Sequence, residues 1–224
     1  MAFRFKDFDL YIFDADGTLF DSVYCYVETY HQLFKKYGIA VPRAHIHHHI
    51  GMGLDKSLAC LCSPEWFSRY ATQFYREGKA YYNEHFLSAV EAFPGVRALL
   101  EYLRADGKKI ALATMSAATV VDQYLSRIGG TAVFDFVTTS SDGMRSKPDP
   151  DIFLRVLEHF PAIPKERACV IGDSVWDMQA AAAIPVAAVG MLLGGYGEAD
   201  LTNAGAVRVV RDCEALLAQY KELS

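Results

Sequence analysis

Along most of this chain apolar residues come in short runs, and several of those runs end on a polar cluster. Residues 9–13 (DLYIF) form a β-prone run that stops at DADGT, the pattern of a strand delivering a loop to the carboxyl edge of a sheet. From 21 to about 37 the period changes. Tyr26, Tyr30 and Phe34 recur every four residues, the spacing of one helix face, and Gly38 supplies a stop. Two further helices are expected near 54–62 and from 64 to about 86, with nothing strand-like between them. Residues 20–89 thus read as a helical unit of their own.

After Pro94-Gly95-Val96 helices and strands alternate. The pattern predicts helices over 96–106, 119–128, 149–160, 177–183 and 213–223. Strands are expected over 109–114, 134–139, 168–171, 186–190 and 206–210. Continuous apolar strands such as KIALAT and ACVI, joined by helices, imply a parallel sheet covered on both faces with right-handed crossovers. The expected fold class is α/β. A doubly wound, Rossmann-like parallel sheet forms the core from 1–19 and 90–224, and the small α-helical unit is inserted at 20–89. In such sheets a ligand lies beyond the carboxyl ends of the strands, where strand order reverses.

Composition narrows the picture only slightly. A chain of 224 residues with 52% apolar and 22% charged residues suits a soluble globular protein with one α/β core and a smaller unit. Its net charge of −5 gives no support to a nucleic-acid partner. No segment approaches the roughly 18 continuous apolar residues of a membrane span. The charged amino terminus runs straight into a strand, without the apolar stretch of a signal peptide, so a cytoplasmic location is expected. Five cysteines without a CxxC pair are expected to be reduced thiols, mostly buried.

The chemistry lies in four clusters, each in the loop after an expected strand: Asp14-Ala15-Asp16-Gly17-Thr18, Thr114-Met115-Ser116, Lys147-Pro148, and Gly172-Asp173-Ser174 with Asp177. If the strands are parallel, the first, second and fourth meet at one sheet edge, within reach of Lys147. Carboxylates crowded there repel strongly at low dielectric, and a hard divalent cation removes the penalty. Magnesium suits such a site, taking oxygen ligands from one or two carboxylates, waters and substrate phosphate. Hydroxyls, a lysine and glycine-containing turns provide anion binding for a phosphoryl group, and an aspartate can serve as nucleophile. One magnesium ion shared by Asp14 and Asp173 requires their carboxyls to lie closer than about 10 Å.

DADGT, LATMS, SKPDP and GDSVWDM, in this order, resemble the haloacid-dehalogenase superfamily of phosphohydrolases, and GGYGEADLTNAGA at 194–206 is similar to its phosphoglycolate-phosphatase group. The resemblance runs from about residue 11 to the carboxyl end and makes the insertion a helical cap hinged near 18–23 and 86–93. It implies Asp14 as nucleophile and metal ligand. Asp16 would be general acid and then base, its carbonyl touching the metal. Thr114, Met115 and Ser116 would hold the phosphoryl group. Lys147 would bind that group and the nucleophile, and Asp173 and Asp177 would hold Mg2+. An acidic residue at 16 favours phosphate esters over dehalogenation. Met115 stands where related sequences often carry asparagine, which removes one side-chain hydrogen bond.

The resemblance thus implies a Mg2+-dependent phosphatase acting on a small phosphorylated metabolite, with phosphoglycolate the leading candidate, as a monomer or homodimer. A sugar phosphomutase and a phosphate-binding regulatory protein without turnover remain alternatives. Lys56 is either a binder of a substrate carboxylate or an exposed helix residue. His45, His47, His48 and His49 sit in a segment read as extended, where neighbours face opposite ways. Without a carboxylate or cysteine at ligand spacing they are read as a solvent-facing loop, with one of them touching substrate as the alternative.

Overall fold

The computed structural model describes residues 3–222. The strands are β1 (Leu10–Phe13), β2 (Lys109–Ala113), β3 (Phe136–Thr138), β4 (Ala168–Gly172), β5 (Ala187–Met191) and β6 (Arg208–Val210). They form one sheet in the order β3-β2-β1-β4-β5-β6 with every pairing parallel. This is the doubly wound arrangement expected, and strand order reverses between β1 and β4.

Period-two alternation between two buried faces explains why the central strands β1 and β4 are apolar along their length. Tyr11, Phe13, Ile110, Leu112, Cys169 and Ile171 face one apolar cluster, beneath α5 (Val96–Ala105), α6 (Ala118–Ser126) and α10 (Cys213–Glu222). Leu10, Ile12, Ala111, Ala113, Ala168 and Val170 face the other, beneath α7 (Asp151–His159), α8 (Val175–Ala182) and α9 (Glu198–Asn203). Both faces exclude water, so no strand position there is left for a polar residue. Polar side chains collect at the strand ends.

Between β1 and α5 lie only helices: α1 (Val23–Lys36), α2 (Arg43–His47), α3 (Leu54–Leu61) and α4 (Pro64–His85). They pack around their own apolar cluster, which includes Val27, Phe34, Ile46, Leu58 and Phe74. The start of α4 is set by Ser63, whose Oγ accepts from the Trp66 N–H at 3.2 Å, and by Pro64 in the first turn. The two chain segments joining these helices to the sheet run side by side. Asp21 N–H donates to the Glu91 carbonyl at 3.0 Å and Phe93 N–H to the Leu19 carbonyl at 2.9 Å.

Two helices depart from expectation. The segment containing His45 and His47 is helical as α2, not extended, and α9 falls where no element was expected. Each is short and has one buried anchor, Ile46 in α2 and Leu201 in α9, so neither leaves a repeating apolar period to detect. The expected last helix extends to residue 223, which lies outside the described residues, as do the outermost ends of the expected core segments. Among the described residues, no helix is long and apolar enough to cross a membrane.

Candidate active site

Asp14 follows β1 directly and Asp173 follows β4, the two strands flanking the reversal point. Asp177 joins them from the first turn of α8. Carboxylate oxygens of Asp14, Asp173 and Asp177 all lie within 4.8 Å of one another, and all three residues are buried. The limit of about 10 Å set for a shared magnesium ion is met with room to spare. Lys147, fully buried in the loop after β3, places Nζ 3.1 Å from Asp14 Oδ1 and 2.6 Å from Asp177 Oδ1.

Local backbone chemistry fixes these groups. Ser174 caps α8 in a reciprocal capping box. Its Oγ donates to Asp177 Oδ2 at 2.5 Å and its N–H donates to the same oxygen at 3.2 Å, which turns Asp177 Oδ1 toward Lys147. Thr18 Oγ1 donates to Asp173 Oδ1 at 2.8 Å. Main chain closes over the other oxygen. A Cβ on Gly194 would stand 1.7 Å from Asp173 Oδ2, and one on Gly17, where φ is +75°, 2.3 Å from it.

Three carboxylates and one ammonium leave a formal charge of −2 in a buried space, the charge a divalent cation would offset. Asp14 Oδ1 and Asp177 Oδ1 are paired with the Lys147 ammonium and with no other donor. Hard oxygens with unused lone pairs fit magnesium. Titration follows the same physics. Burial raises the Asp14 carboxyl above the usual range, with Lys147 opposing and Asp177 adding to the rise. Asp173 is raised well above that range by burial and by its two acidic neighbours. Burial alone would lower Lys147, but Asp14 and Asp177 outweigh it and keep the ammonium charged.

Asp16 stands apart from this cluster, in the wall of a cavity of about 330 Å³ between the sheet edge and the helical unit. Its Oδ2 accepts from Ser116 Oγ at 2.6 Å and from Thr114 Oγ1 at 3.5 Å. Its Oδ1 accepts from Ser22 Oγ at 2.6 Å and from Tyr124 OH at 3.1 Å. Burial raises its carboxyl, while Ser116, Ser22 and Tyr124 hold it back. Asp14, Thr114, Met115 and Ser116 share the same cavity wall.

The helical unit lines the rest of that cavity mainly with apolar and aromatic side chains, among them Tyr30, Phe34, Ile50, Met52 and Leu58. Lys79, exposed at its edge, brings an ammonium to it. Lys56 is not among the lining residues. Its Nζ lies 2.6 Å from Asp149 Oδ2 and also donates to the Ser146 carbonyl, tying α3 to the loop before α7. The histidines also differ from a solvent-facing loop. His47 Nε2 meets the Gly194 carbonyl at 2.7 Å. The His48 carbonyl accepts from Trp176 Nε1 at 3.0 Å and from Tyr196 OH at 2.7 Å. This face of the unit is docked on the loops that enclose Asp173, so the solvent-facing reading is corrected for His47 and for His49, which is half-buried in the cavity wall, while His48 is exposed as expected.

Asp14, Asp173, Asp177 and Lys147 come together in one buried cluster, Asp16, Thr114, Met115 and Ser116 line the adjoining cavity, and Lys56 lies outside that lining in an ion pair. Sequence reading assigned no role to Thr18, Ser22, Gly194 or Tyr124. Thr18 and Gly194 lie within segments already singled out, so a hydroxyl in the loop after β1 and a doubled glycine were available signals. Tyr124 carried none, since a tyrosine within an amphipathic helix reads as core.

Residues 11–191 match the model of the haloacid dehalogenase-like hydrolases. The chain is similar to a phosphorylated carbohydrates phosphatase of Thermotoga maritima, at 28% identity over 95% of this chain and 98% of the relative. It is also similar to a phosphoglycolate phosphatase of Nitrosospira multiformis, at 29% identity over 76% and 77% of the two chains. A hydrolase from Pseudomonas syringae of known structure superposes with a TM-score of 0.85 at 32% identity, covering 96% of this chain and 99% of that one.

Proposed function

The chain belongs to the haloacid dehalogenase-like hydrolase family as a phosphatase, and from that membership we propose that it hydrolyses a small phosphomonoester with Mg2+ through a phosphoryl-aspartate on Asp14. One observation carries the proposal. Three buried carboxylates and Lys147 converge at the reversal point of the sheet, with Lys147 the single positive charge against three acidic groups, beside a cavity that Asp16 also lines.

Asp14, Asp173 and Asp177 would hold the magnesium ion, with the carbonyl of Asp16 beside them. When bound, it offsets the charge of the carboxylates and of the phosphoryl oxygens. Lys147 neutralises part of the Asp14 charge and binds a phosphoryl oxygen, and Thr114 with the 115–116 loop holds the remaining oxygens. An Asp14 carboxylate oxygen bonds to phosphorus as the ester P–O bond breaks, and Asp16 gives its proton to the departing oxygen. Asp16 then takes a proton from water as that water attacks phosphorus. The bond to Asp14 breaks and orthophosphate leaves. Residues 20–89 act as a cap over this chemistry, and the paired segments at 18–23 and 86–93 are its pivots.

Phosphoglycolate heads the candidate substrates, supported by the resemblance of the late glycine-rich segment and by the Nitrosospira relative. Lys79 can meet its carboxylate. A sugar phosphate comes second, favoured by the Thermotoga relative and by a cavity of about 330 Å³. The decisive assay measures phosphate release from p-nitrophenyl phosphate and from a panel of phosphorylated metabolites, with and without Mg2+, between pH 5 and 9. Release that needs Mg2+ and disappears in Asp14→Asn is expected. Full activity in Asp14→Asn, or none from the native protein on any ester, would end the proposal.

A further inference from the structure

Asp16 is tied to the helical unit through both of its oxygens. On one side Oδ2 accepts from Ser116 Oγ, which lies 2.8 Å from the hydroxyl of Tyr26 on α1. On the other side Oδ1 accepts from Tyr124 OH, which meets the hydroxyl of Tyr82 on α4. The circuit closes on itself, because the rings of Tyr26 and Tyr82 stack with centroids 4.2 Å apart and planes 11° from parallel. Phe20, in the segment joining sheet and helices, stacks on the Tyr124 ring at 4.7 Å.

We propose that Tyr124 is a positioning residue for Asp16, and that the circuit through Tyr82, Tyr26 and Ser116 transmits docking of the helical unit to that carboxylate. The proposal rests on the phosphatase reading and adds to it a device outside the motif residues. Tyr124 is fully buried and Tyr82 nearly so. A phenylalanine would fill either place without a polar atom to satisfy, so each hydroxyl is justified by its partner. Asp16 lies just before the turn at 17–19, and its side chain can rotate unless held. With the helices docked, Ser116 holds Oδ2 while Tyr124 and Ser22 hold Oδ1, and one tyrosine of the helical unit meets the Ser116 hydroxyl and another the Tyr124 hydroxyl. When the helices move away, Ser116 and Tyr124 lose those second partners together, and the carboxylate is held less firmly, with Ser22 in the joining segment as its remaining short contact. Acid–base catalysis is then confined to the docked state, which admits the attacking water but not bulk solvent.

A general acid matters most when the departing oxygen is a poor leaving group, and this gives a readout that simple loss of packing lacks. Benzyl phosphate releases an alkoxide and p-nitrophenyl phosphate a stabilised phenolate, from rings of similar size. Tyr124→Phe should lower kcat/KM for benzyl phosphate about ten- to hundredfold, the weight of one hydrogen bond to a charged group. It should leave kcat/KM for p-nitrophenyl phosphate nearly unchanged. Tyr82→Phe should shift the same ratio less, and the double variant should not exceed Tyr124→Phe alone, because both act through one bond. Tyr220→Phe, which removes a hydroxyl bonded to Asp106 far from the site, should leave the ratio unchanged. Equal losses on both esters, or an equal shift of the ratio in Tyr220→Phe, would overturn the assignment. Native protein inactive on both esters would instead overturn the phosphatase reading beneath it.

Discussion

Below the cavity, at the carboxyl edge of the sheet, each charged group meets partners distant in sequence, as where Thr18 reaches Asp173 across 155 positions. The carboxylates also have a fixed backbone origin, Asp14 and Asp173 at strand ends and Asp177 in a helix first turn, while Lys147 comes from the loop after β3. Above the cavity, the helical unit presents mostly apolar and aromatic surface, and charged groups such as Lys56 and Asp149 are spent on holding it in place. The two regions therefore tolerate change differently. Chemistry prescribes residue types at the edge, because only carboxylates, a lysine and hydroxyls can hold a cation and a phosphoryl group. On the proposed reading the helices need only enclose a leaving group, which many apolar combinations can do.

The sharpest break of this comparison is Asp14→Asn. Turnover should fall by at least about 10⁴-fold, the scale seen when a nucleophile is removed. Melting without Mg2+ should be unchanged or raised, since a desolvated charge is gone. Comparable turnover would show that the edge is not where the chemistry lies. Next comes Lys147→Met, which leaves three buried carboxylates without their counter-charge. Metal-free protein should lose roughly 3–5 kcal/mol in denaturant unfolding, with Mg2+ restoring part of it.

Leu58→Ala probes the other region. Leu58 is 2% exposed and touches both the apolar cluster and the cavity. A loss of about 2–3 kcal/mol is expected, low in the range for such truncations because one side already faces a cavity. The order of preference among esters should change, while kcat on p-nitrophenyl phosphate holds. If kcat collapses instead, the division between the two regions fails.

Metal linkage gives a pH-dependent test. Folded-state values of Asp14 and Asp173 are raised above the unfolded carboxyl value of about 3.8, so in metal-free protein these groups stabilise least once pH exceeds their folded values. On the proposed reading Mg2+ binds the deprotonated form. Its stabilisation against unfolding should therefore grow from pH 5.5 to 8, approaching about 2.7 kcal/mol for a ligand at a hundred times its dissociation constant. A constant shift across that range would contradict the assignment of those carboxylates to the metal.

The smallest effect lies far from both regions. Arg167 binds Asp9 through two nitrogens at the amino end of the sheet and lowers its carboxyl below the usual value, with both side chains near half exposed. Solvent screening limits Asp9→Asn to less than about 1 kcal/mol at neutral pH. That contribution is present in the native protein above about pH 3.8, the unfolded value, and should disappear as pH falls through the lower folded value. A larger loss would mean that the edge is not special in its charge economy.

How much could be read beforehand follows the same division. Strand ends at Asp14, Thr114 and Asp173 were legible because an apolar run of four or five residues that stops on a polar cluster fits a buried strand and little else. Asp177 was legible as chemistry, but its capping bond with Ser174 became visible only with α8 in place. The helix carrying His47 was not legible, since five residues with one buried anchor show no period. Lys56 illustrates the limit of residue type. A lysine near the site can serve substrate or structure, and its neighbour Asp149 lies 93 positions further along the chain.

Sequence alone determined the alternation of strands and helices, the parallel sheet that follows from it, and the acidic, hydroxyl and lysine groups at the strand ends. Periodicity and covalent order are local properties, carried wherever the chain goes. Tertiary structure alone decided which face of the helical unit meets the sheet, that Gly194 closes over Asp173, and that Tyr124 reaches Asp16. Those are distances between surfaces brought together by packing, and packing depends on the shapes of all the side chains at once.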